Sequence, residues 1–194
     1  MVEVKLLIQG YVRKIKGIMI ASPATVLIKD NGINIVVDPG ANEKKLLTAL
    51  AKQKLKPKDI DYVFLTHYHI DHILNIRLFP GKDILDGNTI YRDDKEIEFG
   101  DKLPKTSIQA IATPGHAHEH ACLLVDTKDG KICVAGDLFW WRDDEEQKTD
   151  FDSLISHEDP YEKNHEELIK SRKKILKMAD WIIPGHGKMF KVKK

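Results

Sequence analysis

Thr66-His67-Tyr68-His69-Ile70-Asp71-His72 follows directly on the apolar run Tyr62-Val63-Phe64-Leu65, and this junction decides the reading of the chain. Three histidines and an aspartate fall between positions 67 and 72. A soluble domain that concentrates imidazoles in this way points to a metal. The apolar run has the length and composition of a strand, so His67 and His69 stand at a strand end. In an extended backbone, residues two apart point the same way, and both imidazoles can reach one ion. Asp71 and His72 come after the chain turns into a helix. They point elsewhere, toward a second ion.

Neither coordination sphere is complete with these residues. Working outward, the chain offers candidates at later strand-end loops: His116 after Thr113-Pro114-Gly115, Asp137 after Ala135-Gly136, and His186 after Pro184-Gly185. A glycine before each allows sharp turns and close backbone approach. Zinc and iron accept imidazole nitrogen and carboxylate oxygen, and a carboxylate has an oxygen for each of two ions. The sum is His67, His69 and His116 on one ion, Asp71, His72 and His186 on the other, and Asp137 shared.

The rest of the chain reads as a scaffold for these loops. Val2 to Ile8 alternates and then runs apolar as a strand, and Gly10 marks a bend. Ala24-Thr25-Val26-Leu27-Ile28, the turn Asp30-Asn31-Gly32 and Ile33-Asn34-Ile35-Val36-Val37 form a hairpin. Asn42 caps a helix to about Gln53, with Leu46, Leu47, Leu50 and Ala51 on its buried face. Ile73 to Leu78 is a short helix. Short strands run from Ile84 to Ile111, and a hairpin joins 121–126 to 132–135. Residues 142–152 form a polar, acidic loop. Asp159-Pro160 is expected to open a helix to about Met178, its buried stripe formed by Leu168, Ile169, Ile175, Leu176 and Ala179 with the Arg172 stem at the edge. Trp181-Ile182-Ile183 is the last strand. The pattern ββα…ββ…βα in two halves suggests sheets packed on each other with helices outside.

The 194 residues suggest one domain, over 1–194, with a real core. Charged residues make up 31%, rich in Lys and Glu, which hints at a thermophilic source. A formal net charge of +1 argues against a strongly electrostatic partner such as nucleic acid. The basic ending Lys188 to Lys194 reads as a solvated tail. Cys122 and Cys133 lie in apolar runs and read as reduced core residues of a cytoplasmic protein. The N-terminus lacks the apolar core of a signal peptide, and no run reaches transmembrane length, so no membrane partner is expected.

The motif His-x-His-x-Asp-His at 67–72, followed in order by His116, Asp137 and His186, resembles the metallo-β-lactamase superfamily over essentially the whole chain. Within it, Gly136-Asp137-Leu138-Phe139, Glu158-Asp159-Pro160, Ser171-Arg172 and the stretch Ala179 to Phe190 resemble the metallo-β-lactamase domain-containing protein 1 subfamily. The resemblance implies an α/β fold, a four-layer αβ/βα sandwich with a dinuclear site at one edge. It implies two divalent ions, zinc before manganese or iron, and a hydroxide between them that attacks an ester, thioester or lactone carbonyl of a small-molecule substrate. Asp71 would ligate one ion and orient that hydroxide. Tyr68, His118 or a metal-bound water would protonate the leaving group. Asp38 matches an early aspartate that orients a ligand, and His120 a second, structural histidine. His118, His157 and His165 read as surface residues. Trp140 or Trp141 walls the cleft or packs as core, between residues 138–158 and the loops at 11–24. A homodimer is plausible from the subfamily. Two rival activities stand beside the hydrolase: a phosphodiesterase or ribonuclease, and a mononuclear iron oxygenase like the persulfide dioxygenases.

Overall fold

The computed structural model describes residues 2–193. Val26 and Ile28 point to one side of β4 (Thr25–Asp30) and Leu27 to the other, and all three are fully buried. A strand buried on both faces belongs inside a layered structure. β4 pairs antiparallel with β1 (Glu3–Ile8) and, through the Asn31-Gly32 turn, with β5 (Ile33–Val37). β5 runs parallel to β6 (Tyr62–Leu65) and β6 parallel to β7 (Asp83–Asp86). β8 (Thr89–Arg92) and β9 (Lys95–Glu98) complete a sheet of order β1-β4-β5-β6-β7-β8-β9.

The parallel step from β5 to β6 needs a crossover, supplied by α1 (Glu43–Lys52). Asn42 Oδ1 caps it, accepting the Lys45 N–H at 3.0 Å. Leu46, Ala49 and Leu50 form its buried face. Ala51, expected there, is exposed, because five helical steps from Leu46 carry it off the face.

The second sheet has the order β10 (Gln109–Ala112), β11 (Ala121–Thr127), β12 (Gly130–Val134), β13 (Trp181–Ile183) and β14 (Phe190–Lys191). β12 and β13 are parallel, and the chain between them includes α3 (Phe151–Ser156) and α4 (His165–Met178). Three apolar clusters define four layers. Leu27, Val36 and Val63 meet Leu46 and Leu50 of α1. Ile28, Val37 and Phe64 meet Leu123, Val125 and Ile183 between the sheets. Cys122, Leu124 and Ile182 meet Leu154, Leu168 and Ile175 of the outer helices. Both cysteines are buried and free. Among the described residues no helix is long and apolar enough to cross a membrane.

Several expectations are corrected. The loops at 11–24 are a hairpin, β2 (Tyr11–Ile15) with β3 (Ile18–Ser22), turning at Lys16-Gly17, both at positive φ. The polar stretch 142–152 ends inside α3, which Asp150 caps by accepting the Ser153 N–H. The long helix starts at His165, not at Asp159-Pro160. Asn164 accepts the Glu167 N–H at 3.1 Å, and Glu166 and Glu167 suit the positive end of the helix dipole. Arg172 is fully buried rather than at an edge. It donates to the carbonyl oxygen of Leu138 (3.0 Å), after β12, and to those of Ile155 (3.3 Å) and His157 (2.6 Å) at the end of α3, where carbonyls lack helical partners. Within the basic ending, expected as a solvated tail, Phe190–Lys191 form β14. Phe190 and Val192 are buried, and Lys194 lies outside the described residues.

Candidate metal centre

The parallel strands decide where the site forms. Asp38 follows β5, His67 and His69 follow β6, Asp137 follows β12 and His186 follows β13, so the carboxyl ends of both sheets converge on one edge. α2 (Ile70–Ile73) starts right after His69 and turns Asp71 and His72 back over that edge. The Gly115 turn delivers His116. It is clamped by the N–H groups of Lys163 and Asn164, which donate to Gly115 O at 2.7 and 3.0 Å.

Two groups of donor atoms result, His67, His69, His116 and Asp137 in one and Asp71, His72 and His186 in the other, with atoms inside each group within 4.8 Å of one another. Asp137 faces both. Its Oδ2 lies 3.7 Å from His67 Nε2 and 3.6 Å from His116 Nε2. Its Oδ1 lies 3.4 Å from His72 Nε2 and 3.5 Å from His186 Nε2. Asp71 Oδ2 is 3.4 Å from His186 Nε2, and His69 Nδ1 is 3.2 Å from His116 Nε2. His67 Nε2, His72 Nε2 and Asp137 Oδ1 are buried without a hydrogen-bond partner. Buried polar atoms are normally satisfied, and atoms left open toward a common centre suit a cation.

The far nitrogen of several rings is tied down. His72 Nδ1 meets Asp38 Oδ2 at 2.9 Å, while Asp38 also accepts the N–H and hydroxyl of Thr66 at 2.8 and 2.7 Å. His116 Nδ1 meets Asp159 Oδ2 at 2.6 Å. His186 Nδ1 donates to Ser22 O at 2.9 Å. Such partners fix which nitrogen faces inward.

Burial and neighbouring charges of opposite sign act on His67, His72 and Asp137 in opposite directions. Burial, then the neighbouring His72, pushes the His67 pKa well down. Burial opposes the charged form of His72, yet the Asp137 and Asp38 carboxylates outweigh it and hold its pKa well above the usual value. Burial likewise opposes ionised Asp137, and the His186 and His72 rings prevail and hold its pKa far down. His120, buried beside His116 with Nδ1 on the Thr113 hydroxyl at 2.9 Å, is pushed down to about 3 by burial.

A cavity of about 360 Å³ opens over His69, Asp71, Asp137 and His186, walled by Met19, Trp140 and Tyr161 among others. Trp141 is buried against His157 instead, with ring centroids 5.3 Å apart. His157, expected at the surface, is half-buried, and its Nε2 lies 2.8 Å from Trp140 O. His118 and His165 are exposed. Tyr68 does not face the cavity. Its hydroxyl donates to Asp86 at the end of β7, because residue 68 alternates away from His67 and His69. The sequence does not mark Tyr161 and Asp159 as site residues. Asp159-Pro160 has the pattern of a helix start and does mark a break there, but nothing local links Asp159 to His116. Tyr161 carries no sequence signal.

Residues 21–84 match the family model described as the metallo-beta-lactamase superfamily. The chain is 33% identical to metallo-beta-lactamase domain-containing protein 1 of Xenopus laevis, over 98% of this chain and 82% of that protein. It spans 59% of the length of the human protein of the same name, at 35% identity, and similar shares of the mouse and rat proteins. It is also 32% identical to a Methanocaldococcus jannaschii protein named as a probable metallo-hydrolase, over 87% and 86% of the two chains. In fold it is similar to the dizinc quorum-quenching lactonase AidC, with a TM-score of 0.64 at 18% identity over 87% of this chain and 73% of that one.

Proposed function

The chain belongs to the metallo-beta-lactamase superfamily and is a metal-dependent hydrolase, and from that premise we propose that it uses two divalent ions, zinc first, to hydrolyse an ester, thioester or lactone of a small molecule. One observation carries this reading: Asp137 directs one carboxylate oxygen at His67 and His116 and the other at His72 and His186. His67, His69, His116 and Asp137 would hold one ion, and Asp71, His72, His186 and Asp137 the other. When bound, such a pair supplies Lewis acidity and lowers the pKa of water toward neutrality.

The chain's own residues do the rest. Asp71 is the partly exposed carboxylate at the cavity floor, its side chain 28% accessible. It accepts a hydrogen bond from the attacking water and fixes the water's direction. Asp38 and Asp159 hold His72 and His116 in the tautomer that leaves Nε2 inward. The cavity wall, apolar over Val12, Met19, Ile70 and Trp140, takes the apolar part of a substrate. The Tyr68 hydroxyl is occupied by Asp86 and does not serve as the leaving-group acid. A mononuclear oxygenase would leave the Asp71, His72 and His186 group without a task.

Metal analysis tests the reading. Purified protein should contain about two zinc or manganese ions per chain and should hydrolyse aryl esters, thioesters or lactones. One iron per chain with oxygen consumption would sink the dinuclear hydrolase, and activity confined to bis-p-nitrophenyl phosphate would favour a phosphodiesterase. His67→Ala should abolish hydrolysis.

A further inference from the structure

One face of the β2–β3 hairpin carries a surface that hydrolysis does not use. Every residue from Arg13 to Ala21 is exposed, and among the described residues the two strands pair only with each other. Register sets the two faces. Arg13 pairs with Ile20 and Ile15 with Ile18, on one face, while Lys14 pairs with Met19 and Val12 with Ala21 on the other. The second face supplies Val12, Met19 and Ala21 to the cavity wall. The first looks away from it, with Ile15 47%, Ile18 67% and Ile20 37% exposed. Met19, on the cavity side, is also 52% exposed. The apolar rim continues on α2, packed beside β3, where Ile70 and Leu74, one turn apart, are 66% and 49% exposed.

The charge on this tip has one sign. Lys14 and Lys16 flank Ile15, and no Asp or Glu occurs from residue 4 to residue 29. Arg13, nearer the base, is paired with Asp143 at 3.0 Å. We propose that the hairpin docks the protein peripherally on an anionic lipid bilayer, with the isoleucines and Met19 entering the headgroup layer and Lys14 and Lys16 meeting lipid phosphates. One observation selects this occupant over a second copy of the chain: a two-fold contact through the tip would bring the same lysines together. Exposed apolar groups combined with local positive charge are what interfacial binding to anionic lipid requires.

Flotation of the intact protein with vesicles tests this. It should float with phosphatidylcholine vesicles containing phosphatidylglycerol, at least ~10-fold more than with phosphatidylcholine alone, and less as salt rises. The double variant Lys14→Glu/Lys16→Glu and the triple variant Ile15→Ser/Ile18→Ser/Ile20→Ser should each lose that binding while keeping wild-type circular dichroism and metal uptake. No flotation, equal flotation with both vesicle types, or binding unchanged in either variant would overturn the proposal. So would light scattering that shows a dimer dissolved by the isoleucine variant, which would make the tip a self-interface.

Discussion

Asp159 reaches His116 across 43 positions of sequence, and its carboxyl is held below the usual range, the His116 ring outweighing the cost of burial. A carboxylate behind a metal-facing imidazole raises its basicity and fixes its orientation. Asp159→Asn should therefore weaken zinc binding by roughly 10–100-fold in competition with a chromophoric chelator, with little change in melting temperature of the metal-free protein. Asp86 shows the opposite shift. Burial pushes its carboxyl from 3.8 up to about 6, although Tyr91 opposes this by hydrogen bonding to the ionised form. The folded state then holds this proton more tightly than the unfolded chain, so Asp86 makes stability fall as pH rises between about 4 and 6. Asp86→Asn keeps the shape and removes the charge. It should melt above wild type at pH 8, and the gain should shrink toward pH 4. A gain independent of pH would refute the assignment.

At the scale of elements, α4 is placed by two devices. Asn164 caps its first turn, and Asn164→Ala should cost about 1 kcal/mol in denaturant unfolding. Arg172 ties its middle to three carbonyls of the chain before it and, under the cost of burial, is pushed down to about 10. Arg172→Met should cost about 3 kcal/mol, because it orphans those carbonyls. α4 also shows what was legible beforehand. The stripe Leu168, Ile175 and Leu176 was plain from helical period, and so were the strands that carry His67, Asp137 and His186. The start of the helix was not, because Asp159-Pro160 and Asn164 both look like caps, and the first is taken by His116 from outside the segment. The β2–β3 hairpin was missed for a related reason. Its residues are exposed on both faces, so the alternation that marks a half-buried strand is absent. Tyr68 is turned from the site by the same alternation that aligns His67 and His69, since one residue from each it takes the opposite face.

For the molecule as a whole, neither sheet carries a complete site. The edge after β6 gives His67, His69, Asp71 and His72, and the second half gives His116, Asp137 and His186. A bound ion therefore binds only the fully docked fold, and stripping metal with a chelator should lower the melting temperature by roughly 5–10 °C, reversed by added zinc. The two halves also touch where no side chain fits: a Cβ on Gly10 would sit 1.9 Å from Gly185 O, and, within the second half, one on Gly185 would sit 1.9 Å from Asp137 Oδ1. The same backbone contact anchors both ends of the β2–β3 hairpin, through Ala24 N to Gly185 O at 2.6 Å and Gly187 N to Gly10 O at 3.1 Å. This divides the chain into ground that can drift and ground that cannot. In a saturation library selected for folding, positions 13–15 and 18–20 should accept nearly any residue, the positive-φ turn at 16–17 should favour Gly, Asn and Asp, and 10 and 185 should stay glycine, so relatives can exchange the hairpin as a cassette and change what they engage without disturbing the edge it is hung from.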